Sequence, residues 1–197
     1  MRWFPVVTLA ALAAANLSFA QAQDRAPRET VTAAVGGKKV AIEYGRPSLK
    51  GRTIEALLAQ LPADRVWRAG VDQVTTLVTE TEITLGGKKV PAGKYTLYVH
   101  APEKGDWSLI VNSDPGIALS KIWAAAPPAL ADAPWPQPDY TKNIGAKEVA
   151  RAALRREKSG SNSEMFTIKL NPAPYGADLQ LAWGEELWML EVHGAAK

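Results

Sequence analysis

The chain has no cysteine, two histidines in 197 residues, and no apolar run long enough to cross a bilayer. Without cysteine there can be no disulfide, thiol redox motif or zinc–sulfur site, so packing alone must hold the folded domain. With only His100 and His193, a three-histidine zinc centre is impossible. The chain also lacks a Gly-x-Ser-x-Gly nucleophile elbow, a phosphate-binding Gly-x-x-x-x-Gly-Lys, a dinucleotide Gly-x-Gly-x-x-Gly and a His-Glu-x-x-His. No cofactor or metal is therefore expected. The formal charge of +3 is too mild for a nucleic-acid-binding stripe.

What is present begins with an export signature. Arg2 precedes the apolar run Phe4–Leu17, and Ser18-Phe19-Ala20 places small residues where a signal peptidase inspects them. The run is about 14 residues and contains Pro5, whereas a membrane span needs about 20. Residues 1–20 thus read as a cleavable signal peptide, with Ala20-Gln21-Ala22 offering a second cleavage site. Residues 21–197 are then one domain, expected in the periplasm or outside the cell with no membrane span after cleavage.

That domain is written mostly in period two, which sends alternate side chains to opposite faces of a sheet. Val40, Ile42 and Tyr44 share one face; Tyr95, Leu97 and Val99 another; Trp107, Leu109 and Val111 a third. Near the C-terminus the same alternation runs through Phe166, Ile168 and Leu170, through Leu179, Leu181 and Trp183, and through Trp188, Leu190 and Val192. One wet and one buried face per strand is the antiparallel pattern. Gly36-Gly37 and Gly86-Gly87 supply tight hairpin turns. Ile54, Leu57, Leu58 and Leu61 fall at helical spacing and predict a short helix over 53–61, stopped by Pro62. Residues 113–145 hold six of the 14 prolines and predict a long surface loop. The fold class expected is all-β: an antiparallel sandwich of nine or ten strands, with one short helix between the second and third and this Pro-rich loop. Residues 147–156 are compatible with helix or strand.

Three blocks carry a resemblance: Tyr44-Gly45-Arg46-Pro47-Ser48-Leu49-Lys50-Gly51-Arg52, Val66-Trp67-Arg68-Ala69-Gly70, and Gly86 through Leu97. Together with Met165–Ile168 and Leu179–Trp183 they make residues 29–192 resemble a bacterial exported family known as domain of unknown function 2911. The resemblance implies a compact β domain, export and a strand over 147–156, with no established activity. Where the family pattern continues with alanine, asparagine and glutamate after the Trp-Arg block, this chain has Val71-Asp72-Gln73, which moves the block's only acid.

The candidate site is basic. Arg46, Lys50 and Arg52 lie within seven residues without an intervening acid, and Gly45, Pro47 and Gly51 shape their loop. Arginine forks suit carboxylate, phosphate or sulfate. The alternative is a solvated loop whose Arg46 pairs with a framework acid such as Asp72. Trp67 and Arg68 form a second candidate, a pocket wall or simply core, and Trp123, Trp135 and Tyr140 are aromatic faces for a ligand or pins for the loop. With the loops gathered at one end, Arg46, Lys50, Arg52, Trp67, Arg68 and Asp72 are expected to line one concave patch for a small anionic or sugar-like ligand, Asp72 orienting Arg46 or Arg68. His100 and His193 fall on polar strand faces and Glu185-Glu186 in a hairpin turn, where charge is well solvated. Two classes stay open: a non-enzymatic binding or envelope-associated module, and a hydrolase-like enzyme assembling acid, base and arginine from separate loops.

The export expectation is checked by sequencing the N-terminus of protein recovered from the periplasm or medium. It should begin at Gln21 or Gln23, and an intact Met1 in the membrane fraction would contradict it.

Overall fold

A computed structural model describes residues 25–195, so the expected signal peptide lies outside the described residues. The period-two runs become strands in two stacked antiparallel sheets. Residues Arg28–Val35 (β1), Lys38–Gly45 (β2), Val66–Trp67 (β3), Thr75–Thr79 (β4), Gly93–His100 (β7), Ser108–Asn112 (β8) and Glu148–Ala153 (β11) form the first. Its order is β1-β2-β4-β7-β8-β11, with β3 pairing along β7 beyond the end of β4. The second sheet joins Arg155–Ala173 (β12), Gly176–Gly194 (β13), Ile83–Leu85 (β5) and Lys88–Val90 (β6), in that order. Ile117–Ala118 (β9) and Pro134–Trp135 (β10) pair on their own within the proline-rich segment. Ten strands are of three residues or more, in line with the nine or ten expected, and the stretch from 148 to 153 is strand.

Local chemistry explains the elements. Both Gly-Gly pairs have positive φ (59° and 78°, 53° and 76°), the geometry a two-residue hairpin needs and β-carbon-bearing residues resist. The short helix Ile54–Leu58 (α1) is capped by the Thr53 hydroxyl, which accepts from the Ala56 N–H at 3.2 Å. β13 doubles back at Gly184 (φ 58°), bringing Gly176 so close to Val192 that a β-carbon would stand 2.2 Å from the Val192 carbonyl oxygen.

Inward faces of both sheets make one core. Val40, Ile42, Tyr44, Phe166, Ile168, Leu179 and Leu181 are all almost completely sealed from solvent. Tyr44 also stitches the sheets: its hydroxyl accepts from the Ile168 N–H at 2.8 Å and donates to the Glu29 carboxylate at 3.1 Å. Burial pushes that hydroxyl up to about 12, so it stays protonated.

The alternation rule fails on β7 and β8. Thr96, Tyr98, Ile110 and Asn112 belong to the outer face, expected to be wet, yet all are buried. The proline-rich segment covers them. It contains three 3₁₀ turns and the helix Tyr140–Asn143 (α2), and it packs Tyr140 and Ile144 on Tyr98 and Ile110 as a second small core. The expected long loop is therefore a docked, ordered cover. Its prolines prevent long elements without preventing packing.

Tyr44→Phe removes the acceptor for a buried backbone N–H. Chemical denaturation should show a loss of about 1–3 kcal/mol with unchanged slope.

Candidate functional site

The covering segment does not lie flush everywhere, and a cleft of about 620 Å³ remains beside it. One wall follows α1 and carries Leu61, Val66, Trp67 and Arg68; the other is the stretch from Trp135 to Tyr140, with Ile122 at the edge and Tyr98 of β7 between. Asp64 ties the walls together, its Oδ1 accepting from the Val66 N–H at 3.3 Å and its Oδ2 from the Thr141 N–H and hydroxyl, each at 3.2 Å. Pro134 is anchored from behind, its carbonyl accepting from the Val74 N–H at 3.0 Å.

The segment that presents Trp67 and Arg68 is held in costly backbone. Arg65, Ala69 and Asp72 have φ of 55°, 51° and 63°, and Asp139 on the opposite wall has 48°. Left-handed non-glycine residues persist only where surroundings enforce them, and they gather at ligand sites. Here Arg65 Nε and Nη1 donate to the Ala101 and Leu58 carbonyls at 3.1 and 2.7 Å, and the Thr75 hydroxyl donates to the Ala69 carbonyl at 2.9 Å. Trp67 stacks on Trp183 (5.3 Å between centroids, 13°), meets Phe166 edge-on, and donates its indole N–H to the Gly70 carbonyl at 3.2 Å. It packs on the core on one side and lines the cleft on the other.

Arg68 and Tyr98 are the chemically unusual groups in the cleft. Among the described residues no carboxylate lies within 4 Å of the half-buried Arg68 guanidinium, and it makes no hydrogen bond. Burial pulls its pKa below the ordinary guanidinium value, with Asp72 and then Tyr98 opposing at longer range. The Tyr98 hydroxyl is buried with no hydrogen-bond partner among the described residues. The Thr96 hydroxyl donates to the Asp114 carbonyl at 2.9 Å and acts on Tyr98 as a hydrogen-bonding neighbour. Burial is the chief reason that Tyr98 is pushed up to about 12. A partly desolvated cation without a carboxylate partner is what an oxyanion satisfies.

The six residues proposed from sequence divide between two clefts. Arg46, Lys50, Arg52 and Asp72 line a second one of about 400 Å³ with Met165 and Pro27. Trp67 and Arg68 belong to the first. In the second, the arginines are already engaged. Arg46 Nη1 pairs with Glu29 at 3.0 Å, its Nε donates to the Phe166 carbonyl at 3.1 Å and its Nη2 to the Thr167 hydroxyl at 2.8 Å. The framework acid is thus Glu29, where Asp72 was the partner named from sequence. Arg52 Nε donates to the Leu49 carbonyl at 2.9 Å, bracing its own loop. Glu164 gathers the Ser48 hydroxyl (2.6 Å) and the Lys50 N–H (2.8 Å), which hold its carboxyl below the ordinary range.

The remaining candidates have local partners. Glu186 holds Arg156 through two 2.6 Å bonds, and His193 stacks on Tyr175 with its Nε2 2.8 Å from Glu191. Tyr140 is a pin, while Trp135 is a wall and Trp123 stands half exposed outside the cleft lining. Sequence reasoning missed Tyr98. The available signal was that Tyr98 and Ile110, adjacent on the nominally wet face, are both large and need a cover.

Fold and cleft together define an antiparallel β-sandwich with a ligand-sized cleft between one sheet and its cover. The chain belongs to the family described as protein of unknown function (DUF2911), which matches it over residues 26–192. No curated protein and no solved structure matches it.

Arg46 and Lys50 of the smaller cleft should separate on mutation. Arg46→Ala loses three contacts to distant elements and should cost about 1–2 kcal/mol, whereas Lys50→Ala, on an exposed side chain, should stay within about 0.5 kcal/mol by urea denaturation.

Proposed function

We propose that this chain is an exported, non-enzymatic binding module whose ligand, anionic or polyhydroxylated, enters the cleft between Trp67–Arg68 and the proline-rich cover. The observation that carries this is the Arg68 guanidinium, half-buried among aromatic side chains without a carboxylate within 4 Å. A framework arginine satisfies itself, as Arg46 does. An arginine held in a cleft by strained backbone and left unmatched keeps a stabilisation in reserve for an incoming anion. The volume, the aromatic walls and the few polar groups fit the usual anatomy of small-molecule sites. Asp64 supports binding over hydrolysis, because both of its oxygens accept hydrogen bonds that join the cleft walls. Export rests on the Arg2, apolar and Ser18-Phe19-Ala20 order.

The test is thermal unfolding of Arg68→Met and of the unmutated protein against a panel of carboxylates, sugars and sugar acids. For the unmutated protein a true ligand at 100 times its dissociation constant adds about 2.7 kcal/mol, raising Tm by about 5–10 °C. In Arg68→Met that rise should vanish, while the ligand-free Tm stays level or increases because an unpaired half-buried charge has gone. A ligand-free Tm lowered by several degrees would make Arg68 structural and overturn the proposal.

A further inference from the structure

Charge balance in the cleft narrows the ligand. Its lining carries one cation, Arg68, against two carboxylates, Asp64 and Asp139. Asp72 and Asp114 act on Arg68 and Tyr98 from beyond the lining. A dianionic phosphate would meet one fixed positive charge and several negative ones. A monoanion balances Arg68 without that surplus, and a planar carboxylate matches the guanidinium fork. The Tyr98 hydroxyl beneath the cleft is sealed from solvent, so the guanidinium alone receives the carboxylate.

The rest of the lining describes the body attached to that carboxylate. Trp135 offers a flat apolar surface, and Gln137 and Asp139 set an amide and a carboxylate beside it. A pyranose ring has this division: C–H faces that lie on an aromatic ring, and hydroxyls around its rim that donate to amide and carboxylate oxygens.

Building on the binding role of the cleft, we infer that its ligand is a carboxylated sugar, with the carboxylate on the Arg68 guanidinium and the ring against Trp135. A neutral sugar in the same place would bury Arg68 further without an acceptor, and that omission costs at least about tenfold in affinity.

D-Glucuronate, D-glucose and D-glucose 6-phosphate share one ring and differ at C6, so calorimetric titration of the purified protein with each isolates the group at issue, with benzoate as a carboxylate lacking the sugar. Glucuronate should bind at least tenfold more tightly than the other three. Arg68→Met should abolish the preference for glucuronate over glucose, with ligand-free Tm level or higher. Equal or tighter binding of glucose 6-phosphate would overturn the charge argument. Glucose matching glucuronate would overturn the carboxylate, and benzoate matching it would overturn the sugar. Absence of binding by all four would overturn the inference outright. In each of these cases the binding role itself is judged separately, by the wider panel and Arg68→Met.

Discussion

The Asn112 carboxamide, sealed from solvent on the outer face of β8, donates to the Tyr140 hydroxyl and to the Ile144 carbonyl, both at 2.9 Å, and accepts from the Asp114 N–H at 2.8 Å. Each such bond is worth about 1 kcal/mol net, but a buried carboxamide left without them would cost considerably more, so the cover and the sheet favour each other strongly. Tyr140 passes the connection on to Glu148 at 3.0 Å, and Lys147 closes on the buried Asp114 at 2.7 Å. The polar network thereby holds a proline-rich segment, which cannot form long elements of its own, against a sheet face that would otherwise carry exposed Tyr98 and Ile110. The large cleft is the part of that interface the cover does not fill. Its shape depends on a docking event between segments some thirty residues apart.

Two arginines close in sequence show how environment decides role. Arg46 reaches across to β12 and to Glu29 and satisfies itself on three sides, which makes it a clasp between sheets. Arg68, a strand-end residue beside Trp67, has its nearest acid beyond salt-bridge distance and a buried tyrosine for company. Aromatic packing behind it, Trp67 on Trp183 and Phe166, fixes the wall from which it projects. The backbone from which Arg68 projects is thereby fixed before an anion arrives, which is one part of a preorganised site.

The sandwich was legible because its signals are local. Period-two alternation places Tyr44, Phe166 and Leu181 inside, and Gly-Gly pairs mark hairpins wherever two such runs meet. The short helix was legible from four spaced aliphatic residues, though it forms over 54–58 where 53–61 was expected and leaves Leu61 outside it. The site was only partly legible, because what distinguishes Arg46 from Arg68 is the identity of partners 120 residues away in one case and their absence in the other. Proline density announced the lack of long regular structure between 113 and 145, but it carried no information about docking. That information sits in Asn112, a polar residue on a face whose neighbours Tyr98 and Ile110 are apolar, and a polar residue in such company needs partners from elsewhere in the chain.

The central claim is that the unmatched Arg68, and not the basic loop from 46 to 52, is where a ligand is received. Chemical-shift mapping of the ¹⁵N-labelled protein during titration with glucuronate tests it most directly, because arginine Nε–H and tryptophan indole resonances report on each side chain separately. The account predicts shifts at the Arg68 Nε–H, the Trp135 indole and the backbone of Tyr98. Shifts confined to Arg46, Lys50 and Arg52, with Arg68 unmoved, would contradict it.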